Sequence, residues 1–152
     1  MMDADITANE PKGERVAIDA KVRAFLEETR FAVLATVNPD GSAQQTVMWY
    51  RLDGDLLVMN TARGRKKDRN LLRDRRMSVC VEDGYRYVTI TGEVELVEEQ
   101  AMAQADIRGL AVRYHGAEQA DEMVRESFSR QERVTLRLPM TTVDVHGFEG
   151  EG

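Results

Sequence analysis

Between Arg63 and Arg76 the chain carries eight basic residues, at 63, 65, 66, 67, 69, 73, 75 and 76, against two acidic ones, Asp68 and Asp74. The window therefore sums to +6 in a protein whose formal charge is -6, so the remainder sums to -12. Positive charge focused in this way concentrates anions locally. The run LLVMNTARGRKKDRNLL, Leu56 to Leu72, joins an apolar strand-like stretch to a short helical one through Arg63-Gly64-Arg65-Lys66-Lys67. A helix start already bears partial positive charge and unpaired N–H groups, so cations there are unfavourable unless an anion sits among them. A phosphate would relieve the conflict. Neither GxxxxGK[ST] nor GxGxxG occurs, so the pattern is no Walker loop and no dinucleotide fingerprint. A solvated charged face is the plainer reading of such a run, and the focusing of charge argues against it.

Little else in the chain suggests chemistry of its own. Cys80 lies in Met77-Ser-Val-Cys-Val81 and reads as an inert buried thiol. His115 and His146 stand apart, and two histidines with one cysteine do not make a usual zinc site, so no metal is expected. No Ser/His/Asp constellation can be assembled, and no catalytic residue is assigned. Trp49, the single tryptophan, could pack against a flat ligand or fill the core. Tyr85 and Tyr87 share one face of a strand and either pack structurally or line a pocket across a subunit boundary. An acidic pI near 5.0 and the absence of aromatics among the basic residues exclude nucleic acid as the expected partner.

The elements that must position the basic loop follow from periodicity. Ile18, Val22, Phe25 and Leu26 recur at helical spacing, predicting a helix that ends near Arg30. Phe31 to Val37, the turn Asn38-Pro-Asp-Gly41 and Ser42 to Leu52 predict a hairpin, and Asp53-Gly54 leads into a third strand from Asp55 to Asn60. Met77 to Glu82 and Tyr85 to Leu96 predict two further strands, the second with a clean two-residue period. Glu98 to about Arg130 reads as two helices broken at His115-Gly116, and Arg133 to Val145 as an edge or closing strand interrupted by Pro139. The expected fold is thus mainly β with flanking helices: a small six-stranded barrel. Residues 1–16, polar and without apolar period, read as a flexible tail, leaving one domain over 17–149. No apolar run is long enough to span a membrane, the N-terminal stretch is not patterned as a secretory signal, and one cysteine fits a reducing compartment, so a cytoplasmic location is expected.

In this order of elements, the segment FAVLATVNPDGSAQQTVMWYRLDGDLLVMNTARGRKKDRNLLRDRRMSVCVEDGYRYVTITGEVELVEE and the later VTLRLPMTTVDVHGF resemble the split-barrel flavin-binding proteins of the pyridoxamine 5'-phosphate oxidase superfamily. The likeness spans about residues 25 to 148 and is greatest to the branch that uses the deazaflavin coenzyme F420. It implies a Greek-key split barrel in which the loop after the third strand clamps a cofactor phosphate. Lys67, four residues before Leu71, and Arg65 match the clamp, with Lys66 as a third cation. Asn60 and Thr61 match positions that hold the ring and ribityl part, and Thr46, Val47, Met48 and Trp49 match the second-strand segment beside the ring. The resemblance further implies a homodimer with the cofactor at the subunit interface, and a reductase passing hydride between deazaflavin and a small electron-poor organic substrate. Where FMN-using oxidases show an R-x-V-L-L-K type segment, this chain has Gln45-Thr-Val-Met-Trp-Tyr50, which lowers the weight of FMN. An FMN-dependent oxidase or reductase, and a non-catalytic flavin-binding module, are the alternatives. Arg63 and Lys66 would also suit an anionic polyglutamate tail.

Overall fold

The computed structural model describes residues 18–148, so the predicted tail at 1–16 lies outside the described residues. Among the described residues, nine strands form two antiparallel sheets. The five-stranded sheet has the order β2-β1-β5-β6-β9 and the four-stranded sheet β3-β4-β8-β7. The strands are β1 (Ala32–Val37), β2 (Ala43–Met48), β3 (Arg51–Asp53), β4 (Leu56–Ala62), β5 (Arg76–Glu82), β6 (Tyr87–Glu93), β7 (Glu95–Val97), β8 (Arg133–Pro139) and β9 (Val143–His146). Helices α1 (Ala20–Glu27), α2 (Lys66–Arg73), α3 (Gln100–His115) and α4 (Ala117–Glu126) complete the fold, with a single 3-10 turn at Phe128–Arg130. This is the split barrel, mainly β with flanking helices.

The six runs anticipated from the sequence correspond to these nine strands because three of them each cross from one sheet to the other. β2 continues into β3, β6 into β7 and β8 into β9, and in every case the two halves belong to different sheets. A strand that turns a barrel corner must break its ladder there. Each corner also plants a buried side chain in the common core: Tyr50, Val94 and Met140. The backbone groups freed at two of these corners are recaptured, Val94 N–H by Arg75 O at 2.9 Å and Met140 N–H by Asp55 O at 2.9 Å. The run expected as an edge or closing strand divides at Pro139: β9 is an edge of the five-stranded sheet, while β8 is internal. It runs between β4 and β7, and the proline is tolerated because β7 reaches only Arg137, so no neighbour on that side requires the missing N–H.

Alternation sets the core. Ala32, Leu34 and Thr36 of β1, Met77, Val79 and Val81 of β5, and Val88 and Ile90 of β6 point inward, facing Leu57 and Met59 of β4 and Val134, Leu136 and Leu138 of β8. β4 and β8 are buried on their second face as well, because Ala103, Ile107 and Leu110 of α3 lie buried against them. That double burial explains why β4 reads as an unbroken apolar run. The outer face of the five-stranded sheet is different: Phe31, Val33, Val47 and Tyr87 are exposed there. Asp19 caps α1, accepting from Lys21 N at 2.7 Å and Val22 N at 3.3 Å. That helix ends three residues before Arg30, whose guanidinium lies 4.0 Å above the Phe25 ring. Gly116, at φ 88°, makes the predicted break between α3 and α4.

Tyr50 shows how tightly the first corner is closed. Its hydroxyl, fully buried, donates to Leu26 O at 2.7 Å. Burial first, and the neighbouring Tyr114 second, push its pKa up to about 12. A tyrosine in the unfolded chain titrates near 10, so the fold keeps a proton that the unfolded chain gives up. Stability is therefore expected to fall as pH climbs from about 10 towards 12, by about 1.4 kcal/mol for each pH step crossed, and to be untouched below that window. Denaturant midpoints measured against pH should show the fall in the wild type and lose it in Tyr50→Phe.

Candidate functional site

The basic loop leaves the end of β4, turns at Gly64 and enters α2 with Arg65 as its N-cap. Gly64 takes φ 94°, a conformation that a side chain would strain. Arg65 makes no side-chain cap bond, and Lys66 and Lys67 occupy the first turn, so the expected electrostatic conflict is present. Part of it is offset from within. Asp68, buried to 1%, accepts from Gly64 N at 2.7 Å and lies 3.4 Å from Arg63 Nε.

Of the eight cations, four are engaged within the protein. Arg63 is held between Asp68 and Glu98, the latter at 2.9 Å, and the Glu98 hydrogen bond chiefly raises its pKa. Arg69 donates to Gly64 O, Arg73 to Val37 O, and Arg76 to both oxygens of Asp74. These four fasten the loop and helix. Arg63 is therefore not available for an anionic tail. Lys66 is exposed and lines a separate surface depression with Asn38, Pro39, Asp40 and Ser42.

Arg65 and Lys67 have no such partners, and a third cation joins them. Arg133, the first residue of β8, is 4% exposed and Lys67 is 7% exposed. Burial lowers the pKa of Lys67, with the charges of Arg65 and then Arg133 adding to the effect. Burial, then Arg65, lowers that of Arg133 to about 10. Among the described residues no carboxylate pairs with any of the three. Arg65 beside them is exposed, but buried cations such as Lys67 and Arg133 are normally paired, so three mutually repelling charges with two of them buried make a receptor for an anion.

Arg65 and Arg133 line a pocket of about 240 Å³ together with Asn60, Val47, Met48 and Trp49. Its far wall comes from Ile107 and Leu110 of α3, Met123 of α4, and the Ser127, Phe128 and Gln131 segment. Trp49 is half-buried, stacked on Tyr114 with ring centroids 5.3 Å apart and planes at 13°, and edge-on to His115 at 5.4 Å. The indole packs on the protein's own rings outside the core cluster and also walls the pocket.

Of the nine expected site residues, the structure thus brings Arg65, Asn60, Val47, Met48 and Trp49 around one pocket, with Lys67 buried beside it. Thr46 is elsewhere. Its hydroxyl accepts from Gln44 Nε2 at 2.8 Å, part of a polar ladder that continues through Thr36 to Asn70 of α2. Thr61 alternates with Asn60 onto the core face of β4, where its Oγ1 is buried without a hydrogen-bond partner. Tyr85 and Tyr87 pack on His146, at 5.4 and 4.9 Å between centroids. Arg137 approaches Glu95 at 3.8 Å. Arg133 and the walls from α3 and α4 escaped the sequence reading. The signal available was the two-residue period of Arg133, Thr135 and Arg137, opposite Val134, Leu136 and Leu138.

Comparison with known proteins agrees with this geometry. Residues 18–146 match the family model described as pyridoxamine 5'-phosphate oxidase. A conserved hypothetical protein of Mycobacterium tuberculosis superposes with a TM-score of 0.73 at 28% identity, over 89% of this chain and 88% of that one. An F420 reductase superposes with a TM-score of 0.67 at 28% identity, over 84% of this chain and 98% of that one. The haem storage protein HutZ of Vibrio cholerae, at 17% identity and a TM-score of 0.66 over 88% and 97%, shares the fold. With a matched model over most of its length and the split barrel in place, the chain belongs to the pyridoxamine 5'-phosphate oxidase family of flavin-binding proteins.

Proposed function

We propose that this protein is an oxidoreductase that holds coenzyme F420 and passes a hydride between its deazaflavin and a small, electron-poor organic substrate. The observation that carries the reading is the trio Arg65, Lys67 and Arg133, cationic and unpaired with any acid among the described residues, of which Arg65 and Arg133 line an aromatic-walled pocket. The trio fits a phosphate group, and the apolar wall of Val47, Met48, Ile107 and Leu110 fits a flat ring. Likeness to an F420 reductase favours the deazaflavin over FMN.

When bound, the cofactor would supply the hydride chemistry, while the chain binds, orients and excludes water. Arg65 and Lys67 would hold the phosphate at the start of α2, where the helix N-terminus adds its own attraction. Trp49, backed by Tyr114, would fix the ring plane. The lining residues include no carboxylate and no imidazole, so the protein's part is placement and electrostatics.

Two features favour a homodimer with the cofactor at its interface. The pocket of about 240 Å³ is smaller than the roughly 300–1,000 Å³ of sites that enclose a ligand, as a half-site would be. Phe31, Val33, Val47 and Tyr87 leave an apolar sheet face uncovered beside it. Titration with F420 and with FMN, read by fluorescence, tests the cofactor, and sedimentation of the same sample tests the assembly. Binding of F420 to a dimer is the expected result. Tight FMN binding with none for F420 would reverse the assignment, and bound cofactor that reduces no acceptor in a broad panel would indicate a storage or sensing module.

A further inference from the structure

Asn60 sits where a cofactor ligand is expected, yet its side chain is already committed. Its amide nitrogen donates to Ala103 O at 3.0 Å and to Thr135 Oγ1 at 3.1 Å, and its Oδ1 accepts from Arg133 Nε at 2.9 Å. Both amide hydrogens are therefore spent inside the protein. The Thr135 hydroxyl donates to Asp106 Oδ2 at 2.7 Å, and Asp106 Oδ1 accepts from Arg51 at 2.9 Å. A hydroxyl that gives its hydrogen to a carboxylate can only accept from Asn60. That fixes the amide with its nitrogen towards Thr135 and its oxygen towards Arg133.

The chain of bonds runs from β3 through α3, β8 and β4 back to β8, so the direction of one guanidinium is set by four elements at once. Arg133 also donates to Gln131 Oε1 and lies 5.0 Å from the Phe128 ring. Its remaining terminal nitrogen has no hydrogen-bond partner among the described residues, although the residue is 4% exposed and lines the pocket. A buried guanidinium with two of its three nitrogens held, a ring against it and one terminal nitrogen left open is prepared for an oxyanion.

We propose that Arg133 is an anion-binding residue of this pocket and that Asn60 is its positioning residue, acting on the ligand through the guanidinium and not by direct contact. The ligand class is a phosphate-type oxyanion carried by a larger molecule, met by the open terminal nitrogen of Arg133 together with the charges of Arg65 and Lys67. The inference rests on the anionic-ligand reading of the pocket but not on which flavin-like molecule brings the anion.

Calorimetric titration of the whole protein with F420, FMN and inorganic pyrophosphate tests it, using the wild type, Arg133→Gln, Asn60→Ala, the double variant and Arg133→Lys. Each single loss of the Arg133 bond should weaken binding roughly 10- to 100-fold, as expected for a hydrogen bond to a charged group. The double variant should bind no worse than Arg133→Gln alone, and Arg133→Lys should recover only part of the affinity, since an ammonium lacks the planar, pre-oriented donors of the guanidinium. Losses that multiply in the double variant would mean that Asn60 touches the ligand, overturning its positioning role. An Arg133→Gln protein that binds like the wild type would overturn the site. Pyrophosphate binding lost in Arg133→Gln, with neither flavin bound by the wild type, would uphold this inference while removing the proposed cofactor. A wild type that binds none of the three probes would remove both. The Arg133 Nε–H resonance provides a reading without ligand: it should shift or broaden in Asn60→Ala. Thr135→Val, which cuts the chain one link away, should move it in the same sense if Asn60→Ala fails to fold, and an unmoved resonance would count against the coupling.

Discussion

Lys67→Met is expected to weaken cofactor binding by about 1.5 to 3 kcal/mol, roughly 10- to 150-fold, while making the ligand-free protein more stable. The two signs come from one fact. Lys67 is 7% exposed, and its ammonium faces Arg65 and Arg133 with no acid beside it among the described residues. Methionine keeps most of the buried stem and removes the charge, so the change isolates electrostatics from packing. In the ligand-free fold the lowered pKa means that the unfolded chain binds the proton more tightly than the native one. This contribution therefore destabilises fully at low pH, and stability recovers as pH rises from the lowered value towards the unfolded 10.5. An anion reverses the preference, so affinity should fall as pH rises through the lowered Lys67 value. Thermal denaturation with and without F420, for wild type and variant, reads both effects. Unchanged affinity would return the loop to an ordinary solvated surface.

Asp68→Ala is expected to cost about 2 to 4 kcal/mol of stability, combining a charged hydrogen bond with an acid lost from a helix start. Asp68 is the one negative charge inside the basic window that is buried, at 1% exposure, and it ties Gly64 N–H and Arg63 to the first turn of α2. Without it, Arg63 keeps Glu98, but the turn at Gly64 loses the acceptor that holds its φ of 94° in place. Arg65 and Lys67 would then be presented by a loosened loop, so cofactor affinity should fall along with stability. Urea denaturation gives the first quantity and titration the second. A variant as stable as the wild type would show that the helix start tolerates its cations unaided.

The legibility of the chain varied with how local the cause was. The hairpin at Asn38 to Ser42, the break at Gly116 and the basic helix start were readable because turn residues and capping act within a few positions. The corners at Tyr50, Val94 and Met140 were not, because each lies inside a run whose alternation continues through it, and only closure of the barrel makes it bend. The expectation that Lys67 is a clamp came from the family resemblance, and the structure places the residue buried near Arg65 and Arg133. Arg133 was not readable, since its burial requires α3 to cover the second face of β8, and the commitment of Asn60 depends on the register Asn60 to Thr135. Thr61 fell away from the pocket because a one-residue step along a strand reverses the face, whereas Thr46 shares the face of Met48 but is tied into the ladder of Gln44 and Thr36.

The sheet crossings also bear on the order in which the molecule assembles. Asn60 and Arg133 are 73 positions apart, and they meet only when β8 enters the gap between β4 and β7, after two helices have been threaded past. Closing so long a loop carries an entropic cost that precedes any contact rewarding it. Docking of β8 thus brings a guanidinium towards Arg65 and Lys67, so the repulsion among the three is added to the cost of closing that loop. Ligand recognition and completion of the barrel share that event: whatever anion settles among the three cations also fastens the seam that closes the fold.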